Sequence, residues 1–146
     1  MDKSPLILLV DDDADDRDTF ADVCRDLDQK VKLKLFKNGM ELLNYLNLDN
    51  AEIPSIVFLD INMPVKNGFE CLGDLRNKSK FRELCIIIYS TSIANRDVDK
   101  AKALGANGFL EKPSTFKKLK SCIQKILNTD WKDPCAHLEE LEFVIT

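Results

Sequence analysis

Five apolar segments, each followed by a stretch whose apolar residues recur at helical spacing, constrain what this chain can fold into. "LILLV" (6–10), "SIVFLD" (55–60) and "LCIIIYS" (84–90) carry apolar residues on both faces, so as strands they need cover on two sides. "VKLKLF" (31–36) alternates strictly, so one face meets water and the strand suits a sheet edge. "GFLEK" (108–112) supplies a short fifth strand. Helical spacing follows each one: Phe20, Val23, Cys24 and Leu27; then 39–48 with Met40, Leu43, Leu46 and Leu48 inward. It continues at 68–79 with Phe69, Leu72 and Leu75, at 95–106 closed by Gly105, and at 114–128 behind a Ser114 N-cap. Buried strands alternating with helices predict an α/β fold, a parallel sheet doubly wound by helices on both faces.

Such sheets place their ligands at the carboxyl ends of the strands, so the residues that end the strands matter most. The first apolar run stops at Val10, and six of the eight residues 11–18 are aspartates. Asp11 and Asp12 end the first strand, Asp60 the third, Ser90 the fourth and Lys112 the fifth. Three acids, a hydroxyl and an ammonium thus converge on one edge. Clustered carboxylates raise one another's pKa until a cation neutralises them, and hard oxygen donors suit Mg²⁺ or Mn²⁺. A carboxylate is a competent nucleophile toward phosphorus, and a metal, a lysine and a hydroxyl are the partners a transferring phosphoryl group needs. Taken singly, each of these residues is equally well a helix cap, a turn residue or a solvated loop. Asp13 is read as an N-cap, Asp15 and Asp16 as first-turn acids with Asp16 closing a capping box, and Asp18 as solvated.

The chain resembles the receiver domains of two-component response regulators. The matching residues are Asp11 and Asp12 in "LLVDDD", Asp60 in "VFLDINMP", Ser90 in "IIYSTS" and Lys112–Pro113 in "GFLEKP". Asp60 and Ser90 are 30 positions apart, Ser90 and Lys112 are 22 apart, and the likeness covers about residues 5–128. It implies a five-stranded (βα)5 flavodoxin-like sheet of order 2-1-3-4-5, with a receiver domain over 1–128 and an extension without output domain over 129–146. It further implies that Asp60 accepts a phosphoryl group from a histidine kinase or a histidine phosphotransfer protein. Mg²⁺ (or Mn²⁺) would be held by Asp11, Asp12, Asp60 and the backbone carbonyl of Asn62, while Ser90 and Lys112 meet the phosphoryl oxygens. A cis peptide bond before Pro113 is part of that pattern. Ser90 and Phe109 would form the switch, though Phe109 is equally a plain core residue; Asn62 and Ser92 would tune dephosphorylation. Thr91 is bulkier than the alanine or glycine common at its place. "VDDDADD" and "YSTS" resemble receivers that stand alone and partner bacteriophytochromes.

On this reading the protein is a phosphoacceptor and not an enzyme in the ordinary sense. It would be cytoplasmic, a monomer or weak homodimer, and would signal through contacts with a downstream protein. A net charge of −4 gives no broad attraction to nucleic acid or anionic lipid, and no apolar run is long enough to span a membrane. Five cysteines without CxxC spacing are expected to be reduced, and the single histidine, His137, excludes a multi-histidine metal site. Two rivals differ in class. A haloacid-dehalogenase-like phosphatase would use Asp11 and Asp13 as its D-x-D pair, but Asp15 stands where that family has Thr or Val, and Asp60 would be idle. A pseudo-receiver would bind partners without phosphorylation. No G-x-G-x-x-G follows the first strand, against a dinucleotide fold. The end "CAHLEELEFVIT" is read either as a partly ordered terminus or as a helical turn or strand pairing with another chain.

Overall fold

Alternating side chains along each strand divide the interior into two cores. Leu6, Leu8 and Val10 face one of them, and Ile7 and Leu9 face the other. The computed structural model describes residues 4–127 and 143–146. In chain order these form β1 (Leu6–Val10), α1 (Ala14–Arg25), β2 (Lys32–Phe36), α2 (Gly39–Leu46), β3 (Ile56–Leu59) and α3 (Gly68–Arg76). A 3₁₀ turn at Ser79–Phe81 leads to β4 (Ile86–Ser90), α4 (Asn95–Ala103), β5 (Gly108–Glu111), α5 (Phe116–Leu127) and β6 (Val144–Ile145). The strand order is β2-β1-β3-β4-β5-β6, and every pairing is parallel.

The expected order 2-1-3-4-5 is therefore present, with one strand more than expected at its end. β2 lies at the edge, as its alternation predicts. One core packs α2, α3 and α4 through Leu42, Leu46, Leu72, Leu75 and Ala101. The other packs α1 and α5 through Phe20, Val23, Leu119, Ile123 and Ile126. Its centre is an edge-to-face trio in which the Phe20 ring lies 5.2 Å from Phe58 and 5.7 Å from Tyr89.

Several local expectations shift. Met40 and Leu48 point outward, because α2 ends at Leu46 and buries the stripe Leu42, Leu43 and Leu46. Phe116, which the helical spacing over 114–128 puts on the apolar side with Leu119, Cys122 and Ile123, is likewise exposed at the start of α5. Thr115 rather than Ser114 caps that helix, its Oγ1 accepting from the Lys118 N–H at 3.1 Å. No cis peptide bond occurs among the described residues, so the bond before Pro113 is trans. Cys24, Cys71 and Cys122 are free and buried, but Cys85 is disulfide-bonded, against the expectation of reduced thiols throughout. Spacing along a sequence does not report the distance between two sulfurs in space. Cys135 and His137 lie outside the described residues.

Val65 stands in the left-handed region with φ of 69° and is 81% exposed, in the loop between β3 and α3. A β-branched residue there costs about 1–2 kcal/mol, and nothing is buried in return. Val65→Gly removes that strain against roughly 0.5–1 kcal/mol of added unfolded-chain freedom. It is expected to raise the melting temperature by about 2 °C, read by calorimetry. An unchanged or lower value would show that the loop relaxes without cost.

Candidate functional site

Hydrogen bonds continue the sheet beyond the strands and bring their ends into line. The Asp11 N–H donates to the Phe36 carbonyl and the Asp60 N–H to the Val10 carbonyl, both at 3.0 Å. The Lys112 N–H donates to the Ser90 carbonyl at 2.8 Å. Asp11 is 0% exposed, Asp60 4% and Ser90 0%, which makes them the buried polar side chains of the described residues. Asp12 and Asn62 lie exposed at the mouth. Gly68 backs the loop: a Cβ there would overlap the Asp60 carbonyl oxygen and lie 2.8 Å from the Ile61 Cα. Only glycine lets the start of α3 approach the backbone behind Asp60 so closely.

Lys112 is the hub. Its Nζ lies 2.8 Å from Asp11 Oδ2, 2.8 Å from Asp16 Oδ2 and 3.1 Å from Asp60 Oδ2. It also sits 5.3 Å from the centre of the Tyr89 ring. Burial pulls the Lys112 pKa down, and the three carboxylates outweigh it, so the net direction is up. The Asn62 N–H donates to Asp60 Oδ1 at 3.0 Å, and the Asp13 N–H to Asp11 Oδ1 at 2.9 Å. Asp11 Oδ2 is buried without an aligned hydrogen bond, its close partner being the Lys112 ammonium at 2.8 Å.

Ligand atoms of Asp11, Asp12 and Asp60 fall within 4.8 Å of one another. Three hard oxygens this close, one of them a buried oxygen with no aligned donor, fit a small divalent cation. Ser90 Oγ accepts from the Ser92 N–H at 3.2 Å, and Thr91 and Ser92 are exposed beside it. Phe109 is fully buried in the core beneath α4. The residues expected at the site thus gather at one edge, with Phe109 three residues inside it.

Asp16 and Tyr89 were missed. Asp13 caps α1 as expected, accepting from the Asp15 and Asp16 N–H groups. The Asp16 side chain does not close a capping box; it turns to Lys112. A capping box needs the reach of Glu or Gln, as Glu70 shows against Asn67 at the start of α3. That length difference was the available signal for Asp16. Tyr89 follows from alternation along β4, which turns it toward the α1–α5 side and under Lys112.

Burial lifts the Asp11 carboxyl from 3.8 to about 6, while Lys112 and the Asp13 N–H pull it down less strongly. A carboxyl raised on folding holds its proton more tightly in the native state. Its contribution to stability is full below about pH 4 and is lost as pH rises through about 6. Asp11→Asn is therefore expected to stabilise the metal-free protein at pH 8, by on the order of 2 kcal/mol. Paired thermal melts at pH 8 and pH 4.5 check this, and an equal gain at both values contradicts it.

The response regulator receiver domain family matches residues 7–124. Among curated relatives, the probable methanogenesis regulatory protein FilR2 of Methanothrix harundinacea is 26% identical over 65% of this chain, which spans 63% of that relative's length. Response regulator Rcp1 of Synechocystis is 26% identical over 83% of this chain and 85% of its own. The crystal structure of the Mn(2+)-bound form of Rcp1 superimposes with a TM-score of 0.75 at 25% identity, covering 86% of this chain and 93% of that one. No helix among the described residues is long and apolar enough to cross a membrane. Strand order, the clustered acids at the sheet edge and the match over residues 7–124 agree: this chain belongs to the response regulator receiver domain family of two-component signalling.

Proposed function

We propose that Asp60 is the phosphoacceptor of a divalent-metal-dependent response regulator, charged by a histidine kinase or a histidine phosphotransfer protein. The observation that carries this reading is the setting of Asp60. A nearly buried carboxylate ends a central strand with one oxygen on the Asn62 N–H and the other on Lys112, between two further carboxylates. Asp11, Asp12, Asp60 and the Asn62 carbonyl would hold Mg²⁺ or Mn²⁺. The bound cation offsets the repulsion between the acids and the incoming phosphoryl group. A carboxylate oxygen of Asp60 forms the bond to phosphorus as the bond from phosphorus to the donor imidazole nitrogen breaks.

Lys112 then exchanges a carboxylate partner for a phosphoryl oxygen. Ser90, freed from the Ser92 N–H, donates its hydroxyl to another. Movement of Ser90 opens space beside β5, and Phe109 answers by repacking; the phosphoryl charge biases that two-state change. Asn62 and Ser92, both exposed, would set how readily water reaches the acyl phosphate. The receiver occupies 1–128, and its readers are protein partners in the cytoplasm.

Incubation with Mg²⁺ and acetyl phosphate or phosphoramidate is expected to add one phosphoryl group to the intact mass, and Asp60→Asn to abolish the gain. Absence of both that gain and fluoroberyllate binding would instead favour a phosphorylation-independent binding module. Steady turnover of phosphate esters would point to a phosphatase. Lys112→Ala is expected to fold, at about 2–3 kcal/mol lower stability in metal-free buffer at pH 8, where three carboxylates lose their counter-charge. In that variant fluoroberyllate should no longer move the backbone amide resonances of β4 and β5. Wild-type shifts would refute the role given to Lys112.

A further inference from the structure

The strand β6 lies along the side of β5 that would otherwise be the open edge of the sheet. Phe109 pairs with Val144 and Leu110 with Ile145, and the Phe109 N–H donates to the Phe143 carbonyl at 2.9 Å. Ile145 is 4% exposed within the α1–α5 core, while Phe143 and Val144 pack against the opposite core. The approach is close, since a Cβ built on Gly108 would lie 3.1 Å from Ile145 Cδ1. Both flanking helices hold the segment. Lys102 of α4 stands 5.3 Å over the Phe143 ring, and Lys125 of α5 donates to the Thr146 main-chain oxygen at 3.1 Å. An unpaired edge strand is a template for an added chain, and here the template is filled from within.

We propose that the β5 edge between α4 and α5 is a strand-accepting interaction surface whose resident occupant is this chain's own segment 143–146. A partner reaches it by displacing that segment with an extended stretch of the same chemistry, an aromatic residue followed by two β-branched ones. Because the displaced bond is to Phe109, strand release and the Phe109 repacking share one backbone; that coupling rests on the proposed phosphorylation mechanism, and the occupancy does not.

The test uses the full chain with no phosphodonor. Ile145→Asp places a charge where the side chain is buried, and is expected to speed hydrogen exchange at the Phe109 amide at least tenfold, with β1 and β3 amides unchanged. A synthetic peptide of sequence LEFVIT is then expected to bind the variant and restore protection at Phe109, and to bind wild type at least tenfold more weakly because it must displace the resident strand; binding to neither overturns the proposal. If Ile145→Asp also opens β1 and β3, the double variant Lys102→Ala, Lys125→Ala is read in its place, with a severalfold rise at Phe109 expected. Unchanged Phe109 exchange in the variant so read overturns the proposal. A wild-type dimer in sedimentation that Ile145→Asp dissolves also overturns it, since the strand is then exchanged between copies. Failure of wild type to take up a phosphoryl group in the separate acetyl phosphate experiment, with this exchange result intact, would sink the phosphoacceptor reading alone.

Discussion

One ammonium group among three carboxylates organises this protein. Lys112 draws together the end of β1, the first turn of α1 and the end of β3 through Asp11, Asp16 and Asp60. Two of the three acids are nearly inaccessible to water, so their charges are costly without a partner. The lysine offsets part of that cost. What it leaves is visible at Asp11, where burial still wins and the carboxyl stays well above its ordinary range. A site left short of positive charge is one that a divalent cation would complete, and under the proposed function that cation would let a phosphoryl group approach the acids.

The fold is what makes this crowding possible. Parallel strands all finish at the same edge, so each can deliver a single polar residue to a common point while its apolar run stays buried. The ladder does not stop where the strands do. The backbone bonds from Asp11 to Phe36, from Asp60 to Val10 and from Lys112 to Ser90 fix the relative heights of those side chains to within one hydrogen bond. Gly68 completes the backing by letting α3 come down onto the Asp60 carbonyl.

Much of this was legible in the sequence, because the two periods that govern it are strong. Runs such as "LILLV" and "SIVFLD" have no stable place except between two layers, and the polar residue that follows each must then lie at the sheet's edge. What escaped was set by distances no spacing encodes. Asp16 reads as one more helix-start acid until α1 is seen to aim its first turn at β5. The disulfide state of Cys85, the left-handed backbone at Val65 and the one-residue shift of the α5 cap to Thr115 depend on the path of the chain in space. For β6 it was the partner that the sequence could not give. The end "CAHLEELEFVIT" admits a strand pairing with another chain, but Val144–Ile145 pair with β5 of this chain, because β5 has an edge to fill.

That last element alters how β5 should be viewed. Its four residues carry, in order, the Gly108 that admits Ile145, the Phe109 bonded to Phe143, the Leu110 paired with Ile145, and the exposed Glu111. Lys112 follows at once. The strand is therefore clamped at one end by the carboxylate site and along its outer side by the chain's own segment 143–146. A displacement of Lys112 toward a new anion cannot be absorbed by a free edge, because the neighbours of β5 are β4 on one side and β6 on the other. It must be taken up in side-chain packing, or by loosening whichever neighbour is held least. β4 is paired over four residues and β6 over two, so the weaker hold is on the side of the terminal strand.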